Sequence, residues 1–224
     1  VWHGGPVDGY GAAAEKGLIE AYDSPTAKEI PDKYKDPKHY WTGVYVGVLG
    51  FCSNKKVLDE KGLAVPESWS DLLKPELKGQ ISTAHPSTSG TAFTTLWTQV
   101  VLGGSENAGL DYMKKMHANV LQYTKSGTAP GQIAGRGEVA VGLVFSHDCV
   151  KYRDEGMKDL VVSFPKEGTG YEIGGVALVK NSKHSEAAKK YIDWAISADA
   201  QNLGQTVGSN QILTNPNAKT NDKM

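Results

Sequence analysis

Along the chain, short apolar segments rich in β-branched residues alternate with longer segments whose apolar positions recur at helical spacing. The short segments 44–53, 79–83, 119–123, 139–146, 160–164 and 172–180 read as strands bounded by Gly, Pro, Asn and Ser. The segments 7–17, 55–62, 90–103, 105–117, 127–136 and 183–197 read as helices. This alternation predicts an α/β fold with mainly parallel sheets. Ser105 is placed to cap the helix that ends near His117, and Ser182 or Ser185 to cap EAAKKYIDWAIS. Residues 23–42 mix Pro, Lys, Asp and aromatics without a clear period, so they read as a long surface connection. The Asn-rich tail from Asn215 reads as frayed. Val1 and Trp2 read as the end of a strand running into a Gly4-Gly5 turn, which predicts that the chain begins inside a domain.

Length changes this picture little: 224 residues allow one large or two modest globular units. Charge narrows it more. Lys plus Arg number 24 against 25 Asp plus Glu, and a net charge of −1 supplies no field for nucleic acid or an anionic membrane surface. No apolar run approaches the roughly 20 residues that cross a bilayer, so the expectation is a soluble chain whose export signal has been removed. Cys52 and Cys149 are too sparse for a disulfide scaffold and lack zinc-site spacing; one bridge and two inert buried thiols both fit the count.

Three stretches are candidates for chemistry. His85-Pro86-Ser87-Thr88-Ser89-Gly90-Thr91 follows a strand and opens a helix, where unpaired N–H groups and small hydroxyls suit an anion. Ser and Thr that merely cap the helix would give the same sequence. Tyr123-Thr124-Lys125-Ser126-Gly127-Thr128-Ala129-Pro130 repeats the arrangement, and two such mouths can converge on one phosphate or carboxylate. Phe145-Ser146-His147-Asp148 ends an apolar strand, at the edge where open α/β sheets bind ligands. His147 and Asp148 offer N–H donors and carboxylate acceptors suited to polyol hydroxyls. Glu172, beside the glycines of GYEIGG, is a further acceptor or a structural hydrogen-bonding group. His3, Gly4 and Gly5 form a turn that permits close backbone approach, with His3 facing either ligand or solvent. Tyr45 is a weaker candidate for ligand contact, whereas Trp41, Trp69, Trp97 and Trp194 fit packing. Ser146, His147 and Asp148 do not read as a hydrolase relay, because neighbours on an extended chain point to opposite faces. There is no G-x-S-x-G elbow, Walker loop or dinucleotide fingerprint.

After the strand 44–53 comes NKKVLDEKGLAVPESWSDLLKPELKGQIS, in which Pro66, Ser68, Trp69, Asp71, Leu72, Leu73, Pro75, Leu77, Lys78 and Gly79 form a pattern. HPSTSGTAF, QYTKSGTAPGQIAGRGEVAVGLVFSHD, GTGYEIGGVALVKNS and EAAKKYIDWAISADAQ follow in order. With these stretches the chain resembles the periplasmic solute-binding proteins of ABC importers, in the group that takes up ferric ion and related anions. The resemblance implies a type II periplasmic binding protein fold, two lobes joined by hinge strands near 44–50 and 170–176. The first lobe would comprise 1–43 and 172–203, incomplete for lack of an N-terminal portion, and the second 44–171 and 204–224. It further implies a monomer that hands a small anionic ligand to a membrane permease, works in the periplasm or as a lipoprotein, and needs no cofactor. Ferric-binding relatives carry a tyrosine pair where this chain has His147-Asp148. The pair resembles instead the subset that binds hexose phosphates, with Glu172 as the added acid. A ferric-ion site drawing on His3, His147, Asp148 and Glu172 is the alternative.

Overall fold

In the computed structural model, which describes residues 1–220, the elements run in this order. First come β1 (Trp2–Pro6), α1 (Asp8–Glu15), β2 (Ile19–Glu20), β3 (Thr42–Asn54), α2 (Lys55–Glu60), β4 (Ile81–Ala84), α3 (Gly90–Gly103) and α4 (Glu106–His117). Then follow β5 (Val120–Thr124), α5 (Ala129–Gly135), β6 (Val141–Phe145), α6 (Ser146–Asp154), β7 (Leu160–Ser163), β8 (Tyr171–Val179), α7 (Ser185–Ala195), α8 (Ala198–Thr206) and β9 (Ile212–Leu213). The described residues divide into two compact units, one of Val1–Gly47 with 172–220, the other of Val48–Tyr171.

The first unit is built on antiparallel pairs: β1 with β8 (Trp2↔Ala177, Pro6↔Gly174), β2 with β8, and the start of β3 with β9 (Tyr45↔Leu213). Ile30, Val176, Leu178, Ile192 and Ile196 make one buried cluster, and Tyr10, Ala13, Ile19 and Ala177 another. Four expectations change here. Residues 23–42 are no mere surface connection, because two 3-10 turns (Pro25–Glu29, Asp32–Tyr34) carry Ala27 and Ile30 into the core. Residues 204–220 group with this unit instead of the other. Buried Asn215 explains why: its Nδ2 donates to Glu29 Oε2 (2.9 Å) and the Ile196 carbonyl (3.0 Å), and its N–H to Gln201 Oε1 (2.9 Å). The tail is therefore anchored at Asn215, and residues 221–224 lie outside the described residues. β1 continues through the Gly4-Gly5 turn to Pro6, with an irregular register between His3 and Pro6.

The second unit holds a mixed sheet. The later half of β3 runs antiparallel to β6 (Leu49↔Phe145, Ser53↔Val141) and to β7 (Phe51↔Ser163). β4 lies parallel to both β6 and β5. Among the described pairs whose direction is defined, only those of β4 with β5 and β6 are parallel, and the expectation of mainly parallel sheets does not hold, since β1, β2, β3, β7, β8 and β9 take part in antiparallel pairs. Alternation along the strands feeds two cores: Phe51 and Leu143 join Leu58, Trp69, Leu72, Ile81 and Met116, whereas Cys52 and Val144 join Ile133, Cys149, Tyr152 and Leu160. Each fully buried Leu, Ile or Phe adds about 1.5–3 kcal/mol. A disulfide links Cys52 on β3 to Cys149 on α6, with Cα atoms 5.5 Å apart, resolving the two readings of the cysteines. Ser105 caps α4 by accepting from the Ala108 N–H, whereas neither Ser182 nor Ser185 caps α7, whose N-cap position is His184.

Candidate functional site

The parallel strands of the second unit place three strand-to-helix junctions side by side, because β4 lies between β5 and β6 and all three end on the same edge. Each junction opens a helix: β4 leads to α3, β5 to α5 and β6 to α6. The carboxyl edge of parallel strands is where open α/β sheets leave a crevice, and helix starts there bring unpaired N–H groups to it.

At the first junction His85 turns the chain. Its N–H donates to the Thr124 carbonyl at 2.9 Å, tying β4's end to β5's, and its carbonyl accepts from the Thr88 and Ser89 N–H groups. His85 Nδ1 sits 2.7 Å from Ser87 Oγ. Ser89 Oγ accepts from the Ala92 N–H, so Ser89 does cap α3, while Ser87, Thr88 and Gly90 stay exposed. The capping reading and the cradle reading are therefore compatible, with different residues in each role.

The second junction is pressed against the first. A Cβ on Gly127 would fall 2.3 Å from Thr91 Oγ1 and 2.7 Å from Ser89 Oγ, so only glycine fits. Thr88 Oγ1 lies 3.2 Å from the Lys125 carbonyl, a second tie between the junctions. Ser126 Oγ and Thr128 Oγ1 are 3.0 Å apart and exposed. The structure thus brings Ser87–Thr91 and Ser126–Thr128 into one place, presenting hydroxyls and backbone N–H groups.

The third junction departs from the sequence reading in its local form. Ser146-His147-Asp148 is not a strand end but the first turn of α6, a helix that the sequence reading missed. The signal was present: Asp148 in the first turn and Lys151 and Arg153 in the last complement the helix dipole, and Cys149, Val150 and Tyr152 form a buried face. Tyr152, one turn after Asp148, donates to the Thr128 carbonyl at 3.2 Å and so holds α6 to the second junction. Burial drives His147 down to about 4 and Asp148 up to about 6, the latter against the opposing pull of Lys151. At neutral pH the imidazole is therefore uncharged, and its 3.8 Å approach to Asp148 Oδ1 is a contact without ion pairing. The His147 ring stacks on Phe145, with centroids 5.7 Å apart.

The remaining candidates belong to the first unit. Glu172 is the second residue of β8. Gly4 and Gly5 adopt φ of 89° and 80°, a backbone state that favours glycine, and the Gly5 N–H donates to the Tyr45 hydroxyl at 3.3 Å. His3 Nδ1 pairs with the Tyr191 hydroxyl at 3.0 Å, and burial lowers its pKa. A recess of about 230 Å³ in this unit is lined by aromatic and apolar residues, Tyr45, Tyr191, Trp194 and Leu213, together with the polar His3, Gln201 and Ser209. Tyr45 packs its ring over Gly174, where a Cβ would come within 2.0 Å. Of the tryptophans read as packing residues, Trp69 is buried, but Trp97 and Trp194 are exposed. Among the described residues, no group of three or more His, Cys, Asp or Glu is placed to hold a metal ion.

Comparison with known proteins adds three likenesses. A protein of Haemophilus influenzae, described as uncharacterized, is 43% identical over 98% of this chain and 64% of its own length. The structure of the periplasmic binding protein AfuA from Actinobacillus pleuropneumoniae, with exogenous fructose-6-phosphate bound, superimposes with a TM-score of 0.93 at 40% identity, over 99% of this chain and 71% of that one. An Fe(3+)-binding periplasmic protein of Serratia marcescens is 24% identical over 92% of this chain and 61% of its own. The chain thus spans less than two thirds of the length of these two curated relatives. The fold is the α/β fold of the type II periplasmic binding proteins. Since the model of bacterial extracellular solute-binding proteins matches residues 8–221, the chain belongs to that family.

Proposed function

We propose that this chain is the extracytoplasmic capture component of an ABC importer and that its ligand is a sugar phosphate or a related organophosphate. The observation that carries the reading is the seating of Gly127 on Ser89 and Thr91, which turns two strand-to-helix junctions into one cradle. Backbone N–H groups and hydroxyls there suit a phosphate, and charge-assisted hydrogen bonds of this kind contribute about 1.5–3 kcal/mol each. His147, uncharged, and Asp148, ionised at neutral pH, suit donors and acceptors on a sugar. Likeness to AfuA, whose structure contains fructose-6-phosphate, supports the same ligand class. Glu172 and His3-Gly4-Gly5 stay assigned to ligand contact as part of this proposal. A disulfide between buried cysteines fits an oxidising compartment outside the cytoplasm, with the chain either free or held by a lipid anchor.

In this role the protein is a monomer that presents its ligand to a membrane permease and performs no chemistry. Thermal-shift and calorimetric titration with hexose phosphates, phosphonates, inorganic phosphate and ferric citrate tests the reading. A hexose phosphate at a hundredfold excess over Kd should stabilise the protein by about 2.7 kcal/mol. If ferric citrate alone raised the transition, the sugar-phosphate assignment would be wrong and the Serratia-like reading would replace it. Release of inorganic phosphate during incubation would show an enzyme instead.

A further inference from the structure

The first junction commits several of its hydrogen-bond donors to one residue, His85. Its carbonyl takes the Thr88 N–H (3.0 Å), the Ser89 N–H (3.1 Å) and the Thr88 hydroxyl (3.2 Å). Its ring takes more: the Ser87 N–H donates to Nδ1 at 3.2 Å, and Ser87 Oγ lies 2.7 Å from the same nitrogen. A carbonyl accepts in every protonation state, so the first set of bonds is fixed. The ring bonds differ, because one proton reverses them.

Geometry defines the state of the ring. A nitrogen that accepts an N–H carries no proton of its own, so the proton of the neutral imidazole sits on Nε2. Two heteroatoms 2.7 Å apart need a proton between them, and with none on Nδ1 it comes from the Ser87 hydroxyl. Ser87 therefore turns both its N–H and its O–H inward to the imidazole. Although exposed, it offers an arriving anion only oxygen lone pairs.

A proton on Nδ1 undoes this. Nδ1–H then donates to Ser87 Oγ, the hydroxyl proton turns outward, the Ser87 N–H is released and the ring gains a positive charge. The surroundings favour that change when an anion is present. Lys125 is the one fixed charge in residues 85–91 and 123–130, so a dianion there meets little counter-charge. The start of helix α3 opposes a cation standing alone and favours an anion. Tyr123 of β5 meets the His85 ring edge-on, with centroids 6.0 Å apart, and brings no charge: burial raises its phenol, whose oxygen sits 3.0 Å from His117 Nδ1.

We infer that His85 is a ligand-responsive residue of the cradle, whose imidazole takes one proton from solvent as a phosphate group enters and so converts Ser87 from a blocked hydroxyl into a donor. The balance is one proton gained at Nδ1, with no bond of the ligand made or broken. This inference deepens the capture function proposed above and rests on it.

Calorimetric titration of the full chain with fructose 6-phosphate at about pH 7.5, in buffers of different ionisation enthalpy, reads the protons taken up. A phosphate monoester, with its second pKa near 6, is already a dianion there. The parent should take up on the order of 0.5 proton per ligand, and its Kd should tighten roughly threefold for each pH unit lowered from about 8.5 to about 7. His85→Gln should abolish the uptake and flatten the Kd profile, whereas His117→Gln should keep both. Nitrogen NMR of the parent adds a readout that no variant's folding affects: the His85 ring should pass from the Nε2–H tautomer to imidazolium as ligand is added. Uptake that survives in His85→Gln belongs to His147, Asp148 or the phosphate and overturns the assignment. Binding without uptake in the parent, or a His85 ring that keeps its tautomer at saturation, overturns it too. Each of these results leaves capture standing. Failure of every hexose phosphate to bind the parent removes the capture reading and this inference together.

Discussion

The tightness of the cradle can be tested at a single atom. Replacing Gly127 with alanine puts a methyl carbon 2.3 Å from Thr91 Oγ1, 2.7 Å from Ser89 Oγ and 2.8 Å from Thr91 Cβ, where ordinary contact begins near 3.4 Å. Neither neighbour can yield cheaply. Ser89 Oγ is held by the Ala92 N–H at 3.3 Å, and Thr91 lies buried in the first turn of α3. The two junctions must therefore part by roughly 1 Å, and overpacking of this kind costs about 1–3 kcal/mol of stability. Ligand binding should suffer separately. A phosphate held by both junctions loses the equivalent of one charge-assisted hydrogen bond, about 1.5–3 kcal/mol, which is roughly a tenfold to 150-fold rise in Kd. Calorimetric titration with a hexose phosphate reads the second effect and differential scanning calorimetry the first. Thr91→Ala removes the nearest clashing atom, so the double variant should regain part of the lost stability, a coupling that a double-mutant cycle isolates. Parent-like affinity and melting temperature in Gly127→Ala would refute the packing of the junctions, and with it the shared cradle.

Three further outcomes follow from the same structure. Asp148, raised by burial to about 6, makes the folded state less stable as pH climbs from its unfolded value through 6, whereas His147, lowered to about 4, makes it more stable as pH climbs from 4 through 6.5. The two trends oppose each other at about 3 kcal/mol each, so the parent's melting temperature should change little over this window. His147→Gln should then melt lower as pH rises from 4 to 6 and Asp148→Asn should melt higher; slopes of the same sign in both variants would contradict these burial effects. Reducing the Cys52–Cys149 bridge, which closes a 97-residue separation, should cost up to about 4.7 kcal/mol, or roughly 9–19 °C in Tm, and two titratable thiols in the native protein would exclude the bridge. Asn215→Ala removes the amide that reaches Glu29 and Ile196 and should cost about 2–3 kcal/mol; a neutral result would argue against anchoring of the C-terminal segment there.

The parts of the fold that could be read in the sequence are those set by local pattern. The strands around 44–53 and 139–146 and the helices at 90–103 and 105–117 announce themselves by period and by caps such as Ser105. α6 was hidden because its apolar run, Cys149-Val150 and Tyr152, is short and follows directly on β6, so strand and helix merge into one apolar stretch. Strand direction was also hidden. The pairing of β8 with β1 and β2 depends on contacts more than 150 residues apart, which no local periodicity records. In the site, hydroxyl-rich junctions were visible as residue types, but the role of Gly127 was not, since it comes from Ser89 and Thr91 on another helix. Asn215 misled because an Asn-rich stretch reads as polar until its amide is seen to satisfy the buried Ile196 carbonyl and to reach the Glu29 carboxylate.

Each of the three junctions is fixed by a residue that needs no ligand to do so. Gly127 locks the second to the first by close contact, Tyr152 ties the second to α6 through the Thr128 carbonyl, and the bridge from Cys52 reaches α6 at Cys149, the residue after Asp148. A cradle held this way spends little ordering entropy when an anion arrives, so its affinity depends on how many donors the anion engages. Phosphate monoesters and free phosphate would engage the two hydroxyl-rich junctions alike. On the proposed reading, discrimination between them falls to the groups assigned to the sugar, among them His147 and Asp148 on a turn pinned from both sides. Loss of the bridge should accordingly weaken hexose-phosphate binding more than inorganic-phosphate binding, and an equal loss for both ligands would remove α6 from the selection of the sugar.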